Sequence, residues 1–135
     1  MNRTTNVLLA GVLAAGLVSL SAAPAMAAQT FGAIAISAQS GVFGRATGAP
    51  SQAEAERLAM AQCAQLGGAD CRLATWTRGK YCGALAVKTF QGGGMSWAAS
   101  TAPTLEQAKS GAMERCQQEA KTACDDVIAD VCSAD

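Results

Sequence analysis

Gly32-Ala33-Ile34-Ala35-Ile36 returns as Gly83-Ala84-Leu85-Ala86-Val87, 51 residues further along the chain, and this repetition decides the fold. In both stretches alanine alternates with a branched side chain, a period of two that belongs to a strand. The pattern suits a sheet with one tightly packed face. Working outward, the correspondence continues at an offset of 53, pairing Pro50-Ser51 with Pro103-Thr104, Ala55 with Ala108, Met60 with Met113, Cys63 with Cys116 and Cys71 with Cys124. Cys82 and Cys132 follow at an offset of 50. The offset changes in loops, where insertions are tolerated. The chain thus contains two copies of one unit, about 31–82 and 83–132.

Each copy reads as strand, strand, helix, strand. First strands are expected over Phe31 to Ser37 and Gly83 to Phe90, with turns at Gln39-Ser40-Gly41 and Gln91-Gly92-Gly93-Gly94. Second strands are expected over Val42 to Thr47 and Met95 to Ser100. Ser51 with Glu54, and Thr104 with Gln107, then form capping boxes, each hydroxyl accepting from an early backbone N–H while the longer side chain reaches back. Behind the caps, Ala55, Leu58, Ala59, Cys63 and Leu66 recur at helical spacing, matched by Ala108, Gly111, Ala112 and Cys116. Such thin stripes allow close approach of helix to sheet. Gly67-Gly68 ends the first helix, and the second ends near Ala120 to Ala123. Third strands are expected over Cys71 to Thr77 and about Asp126 to Val131. The expected class is α+β: two β-β-α-β repeats, two helices packed on antiparallel sheet, stapled by disulfides. One six-stranded sheet and two smaller sheets both fit.

Ahead of the repeat stand Arg3, an apolar run from Val7 to Leu20, and Ala25-Met26-Ala27. That order is a secretory signal peptide, with cleavage expected after Ala27. The run is short for a span, which needs roughly 20 apolar residues, and an uncleaved anchor is the alternative. Removing residues 1–27 leaves a single domain of 108 residues, 28–135, with nine basic against ten acidic groups. A balance so near neutrality argues against binding nucleic acid or membranes through net charge, and no stable membrane span is expected after processing.

The expected compartment is the periplasm or the exterior, where disulfides persist. Six cysteines separated by 8, 11, 34, 8 and 8 residues contain no C-x-x-C pair, and histidine is absent, so bridges are favoured over a zinc site and no cofactor is expected. Three cysteines per copy is an odd number, which requires at least one bridge between copies if all six pair. The preferred set is Cys63 with Cys71, Cys116 with Cys124, and Cys82 with Cys132, one of fifteen pairings that the sequence permits.

Phe31-Gly32-Ala33-Ile34-Ala35-Ile36-Ser37, the Ala53-Glu54-Ala55-Glu56 segment, the Cys63 to Cys71 spacing and Cys82-Gly83-Ala84-Leu85-Ala86 resemble the family catalogued as domain of unknown function 4189. The resemblance is clearest from Phe31 to about Val87 and extends to the C-terminus through the repeat. It implies a small exported bacterial protein with paired cysteines, and it brings no catalytic residues.

Chemistry is sparse. Without histidine, Ser-His-Asp and Cys-His sites cannot form, and bridged cysteines are not nucleophiles. Asp70, Asp125, Asp126 and Asp130 are carboxylates of the type a hydrolase would use, or solvated loop charges. Between Arg72 and Lys88 lie four cations and no acid, with Trp76 and Tyr81 interleaved. Trp76, Arg78, Lys80 and Tyr81 are therefore the candidate binding residues, because Trp, Tyr and Arg anchor interfaces disproportionately. In the competing reading, Trp76 and Trp97 fill the core and Arg78-Gly79-Lys80 is an ordinary polar turn. The expected function is a non-enzymatic exported domain that binds a macromolecular or cell-envelope partner, ahead of a secreted inhibitor or effector and of a carboxylate-dependent hydrolase.

Overall fold

A computed structural model describes residues 29–133, so the signal-peptide reading of residues 1–27 lies outside the described residues. The order is β1 (Phe31–Ile36), β2 (Phe43–Ala49), α1 (Gln52–Gln65), β3 (Arg72–Arg78), β4 (Cys82–Thr89), β5 (Met95–Ala102), α2 (Leu105–Ala120) and β6 (Asp126–Cys132). The β-β-α-β pattern occurs twice. The strands form two separate three-stranded antiparallel sheets, ordered β2-β1-β3 and β5-β4-β6.

The alternation quoted from the two central strands explains the layering, although both of its faces are covered where the sequence suggested one. Ala33 and Ala35 pack with Ala55, Ala59 and Cys63 under α1, while Ala84 and Ala86 pack with Ala108, Ala112 and Cys116 under α2. The branched partners Ile34, Ile36, Leu85 and Val87 meet Ala129 and Val131 in a third cluster between the sheets. The layers therefore run helix, sheet, sheet, helix. Alanine faces each helix because a helix axis must come close to a sheet to exclude water, whereas branched side chains fill the wider gap between pleated surfaces. Closest approach is at Gly44, where an added Cβ would lie 2.1 Å from Ala59 O and 2.5 Å from Cys63 N.

Each helix begins at the expected cap. Ser51 Oγ accepts from Glu54 N at 3.1 Å, and Thr104 Oγ1 accepts from Gln107 N at 3.3 Å. The return half of the first capping box is replaced, since both Glu54 carboxylate oxygens take hydrogen bonds from Arg57, at 2.6 and 2.9 Å. The bidentate charged pair one turn on outcompetes a single bond to a solvated amide. The second helix ends on Lys121, which holds φ 55 without being glycine.

The bridges are Cys63–Cys71, Cys116–Cys124 and Cys82–Cys132. The first two tie each helix to the strand that follows it. The third corrects the parity expectation, because Cys82 opens β4 and faces Cys132 across the β4–β6 ladder, within one sheet. No bridge joins the two sheets. In the first copy the equivalent ladder position is Phe31 opposite Arg78, and it carries no sulfur.

Candidate functional site

The two sheets lie face to face with β2 alongside β6 at one rim and β3 alongside β5 at the other. The repeat exchanges these rims, so each is the other's counterpart. Register makes the equivalence residue by residue. Ala33 faces Trp76 as Ala84 faces Asp130, and Ile34 faces Arg45 as Leu85 faces Ala99. Trp76 therefore stands where the other copy has Asp130, and Ala99 where the other has Arg45.

At the β2–β6 rim these positions form an ionic lock. Asp130 lies 3.9 Å from Arg45 and 3.1 Å from Lys109 Nζ, while Arg45 also donates to the Asp130 carbonyl at 3.3 Å. The β3–β5 rim has Ala99, Trp76 and, at the Lys109 position, Glu56, so no such lock can form.

Both rims are grooved: the β2–β6 rim holds a space of about 390 Å³ lined in part by Arg45 and Asp130, and the β3–β5 rim one of about 400 Å³ lined by Thr75, Trp76, Thr77, Arg78, Tyr81 and Thr101. Strand geometry places Trp76 and Arg78, two residues apart, on one face. The intervening Thr75 and Thr77 point between the sheets. An added Cβ on Gly83 would meet their methyls at 3.2 and 3.1 Å, so the bare glycine is what lets both threonines form the groove floor. Beyond Arg78 the chain reverses through Gly79 at φ 62, and Tyr81 N donates to Arg78 O at 3.2 Å. The turn is held from both flanks of the domain. Gly79 N donates to Thr30 O at 3.0 Å, Ser133 N donates to Tyr81 O at 3.1 Å, and the Ser133 hydroxyl bonds to Thr77 Oγ1.

Trp76 is 37 % exposed and Tyr81 49 %. Trp97, in contrast, packs against the cluster between the sheets. The core reading of the two tryptophans thus describes Trp97 alone. Trp76, Arg78 and Tyr81 line one groove, and Lys80 sits exposed in the adjoining turn without lining it. Thr101 was out of reach of sequence reasoning, because only sheet-on-sheet packing brings the second copy to this rim.

The four aspartates are engaged, and none lines the β3–β5 groove. Asp70 accepts from Ser37 Oγ, the main reason its carboxyl is held below the ordinary value. Asp125 accepts from Lys88 Nζ and Thr89 N, each at 2.8 Å, and is held low chiefly by the lysine. Asp126 accepts from Val127 N at 2.7 Å, and Asp130 belongs to the ionic lock. Ser37 and Lys88 directly follow the equivalent Ile36 and Val87, so both copies anchor the end of the central strand through an aspartate near the second cysteine of the helix bridge.

No curated protein and no solved structure matches the chain. A family model does match, over residues 31–132, a span that opens on the first residue of β1 and closes on the last of β6. Both copies, both helices and all six cysteines fall inside it, and on that match the chain belongs to the family described as Domain of unknown function (DUF4189).

Proposed function

We propose that the chain is an exported, non-enzymatic binding domain that takes a macromolecular or cell-envelope partner in the β3–β5 groove. The observation that carries this reading is the divergence of the two rims. The two rims hold spaces of similar size, about 390 and 400 Å³, but the β2–β6 rim is lined by the paired Arg45 and Asp130, while the β3–β5 rim leaves Trp76 and Tyr81 partly exposed beside Arg78. A large aromatic surface held in a rigid concave setting is stabilised by a partner that covers it. Export is supported by the leader pattern of residues 1–27 and by three bridges, which persist outside the cytoplasm. Among the described residues no helix is long and apolar enough to cross a membrane. A non-enzymatic role is supported by the lining of the groove, which holds none of the four aspartates, and by the lack of histidine in the sequence.

The test is crosslinking in intact envelopes with a photoreactive group at Thr101, in the native chain and in Trp76→Ala. A partner captured by the first and lost in the second is the expected result. Equal capture by both chains would overturn the assignment of the groove.

A second reading, a secreted inhibitor or effector, has its own observation in the Arg78–Tyr81 turn. That loop is pinned by Thr30 and Ser133 and so is preformed for insertion into another protein. It predicts inhibition of a hydrolase that Lys80→Ala weakens and Trp76→Ala leaves unchanged.

A further inference from the structure

We propose that the β3–β5 groove takes a carboxylate-bearing saccharide, with a sugar ring against Trp76 and Tyr81 and the carboxylate on the Arg78 guanidinium. This rests on the reading of the groove as the binding site and names its ligand class.

Size comes first. At about 400 Å³ the space lies near the lower end of the roughly 300–1,000 Å³ usual for small-ligand sites, which suits a short glycan segment. A peptide adding as a strand needs an open run of sheet edge. β3 is an edge strand, but the groove touches it only from Thr75 to Arg78, four residues, with Thr101 of β5 beside them, a short run for a peptide strand.

Lining chemistry comes next. A pyranose ring offers an apolar C–H face flanked by hydroxyls, and the groove offers the complement: partly exposed Trp76 and Tyr81 rings, in a lining that also holds the hydroxyl-bearing Thr75 and Thr101. Tyrosine and tryptophan supply contact area at low entropy cost because each has only two side-chain torsions.

Charge then selects among saccharides. Arg78 makes no ion pair among the described residues, and of the five cations of which this is true (Arg72, Arg78, Lys80, Arg115 and Lys121) it alone lines the groove. Lys80 extends the same positive turn, and no acid occurs between Arg72 and Lys88. A planar guanidinium accepts a carboxylate in a two-point fork, which a neutral glycan cannot supply.

The experiment titrates the processed chain with two probes that differ by a single lactyl carboxylate. One is the disaccharide of N-acetylglucosamine and N-acetylmuramic acid, and the other is N,N′-diacetylchitobiose. Binding is followed by heat and by the amide NMR signals of Thr75, Thr77, Tyr81 and Thr101. The carboxylated probe is expected to bind about tenfold more tightly, the advantage a charged hydrogen bond supplies. Arg78→Gln removes that advantage and leaves the neutral probe unchanged, Trp76→Ala abolishes both, and Arg45→Gln at the opposite rim changes neither. Equal affinity for the two probes overturns the proposal. If neither probe binds while Trp76-dependent crosslinking to a protein persists, the ligand class falls and the groove assignment stands. If Trp76→Ala alters nothing in either assay, both fall.

Discussion

At Gly44 a single missing methyl determines how near α1 can come to its sheet. An added Cβ there would lie 2.1 Å from Ala59 O and 2.5 Å from Cys63 N, and both obstacles are helix backbone, which cannot rotate aside. Gly44→Ala is therefore expected to destabilise by about 1 to 3 kcal/mol, the range of overpacked sites. A urea midpoint indistinguishable from that of the native chain would show that helix and sheet can part without loss. The tryptophans make the complementary case. Trp97 packs into the cluster between the sheets, so Trp97→Ala should cost about 3 kcal/mol in the same measurement. Trp76 is 37 % exposed and belongs to none of the core clusters, so Trp76→Ala should stay within about 1 kcal/mol while removing ligand binding. Comparable losses from both would restore the view that each is a core residue.

Among the elements, the corners where a central strand meets the loop after a helix carry the pH dependence. Asp125 joins β4 to the loop before β6 through Lys88 and Thr89, and Asp70 joins the end of β1 to the loop before β3 through Ser37. Both carboxyls are held below the ordinary aspartate value of 3.8, so the unfolded chain binds protons more readily than the folded one. Their stabilisation is fully present above that value and is lost as the pH falls through the lower folded values. The urea midpoint should drop in that acid window, and Asp125→Asn should lower the midpoint near neutrality, where the charged pair is intact, and flatten part of the acid drop. An unchanged acid limb in Asp125→Asn would remove that corner from the account. These elements were legible because their signals are local: Ser51 and Thr104 mark helix starts, and the alanine alternation marks the central strands. The division into two sheets was not legible, since a two-residue period says that a face is covered without saying by what. The groove was half legible for the same reason. Trp76, Arg78 and Tyr81 are neighbours through strand period and a tight turn, whereas Thr101 arrives only when the sheets stack.

For the whole molecule, the distribution of sulfur makes each half a covalently closed unit and leaves the join between them to packing. Cys63–Cys71 lies in the first half, and Cys116–Cys124 and Cys82–Cys132 lie in the second. Between the halves stand the apolar cluster of Ile34, Ile36, Leu85, Val87, Ala129 and Val131, the Arg45–Asp130 contact, and the chain itself at the exposed Lys80. Each sheet has one face that only the other can cover, so neither half should be stable alone, even with its bridges intact. Cutting the chain after Lys80 tests both parts of this claim at once, because the second fragment then begins at Tyr81 and keeps Cys82. In native buffer the nicked protein should elute as one species of unchanged size, held by the buried aliphatic face. On a denaturing gel without reductant it should separate into two fragments. A nicked chain that stays in one band until reductant is added would place a bridge between the halves. Fragments that part in native buffer would show that packing between the sheets does not suffice to hold them. Leu85→Ala in the nicked protein should loosen the pair, lowering the concentration of urea at which the fragments separate, since a buried leucine shortened to alanine costs about 2 to 5 kcal/mol.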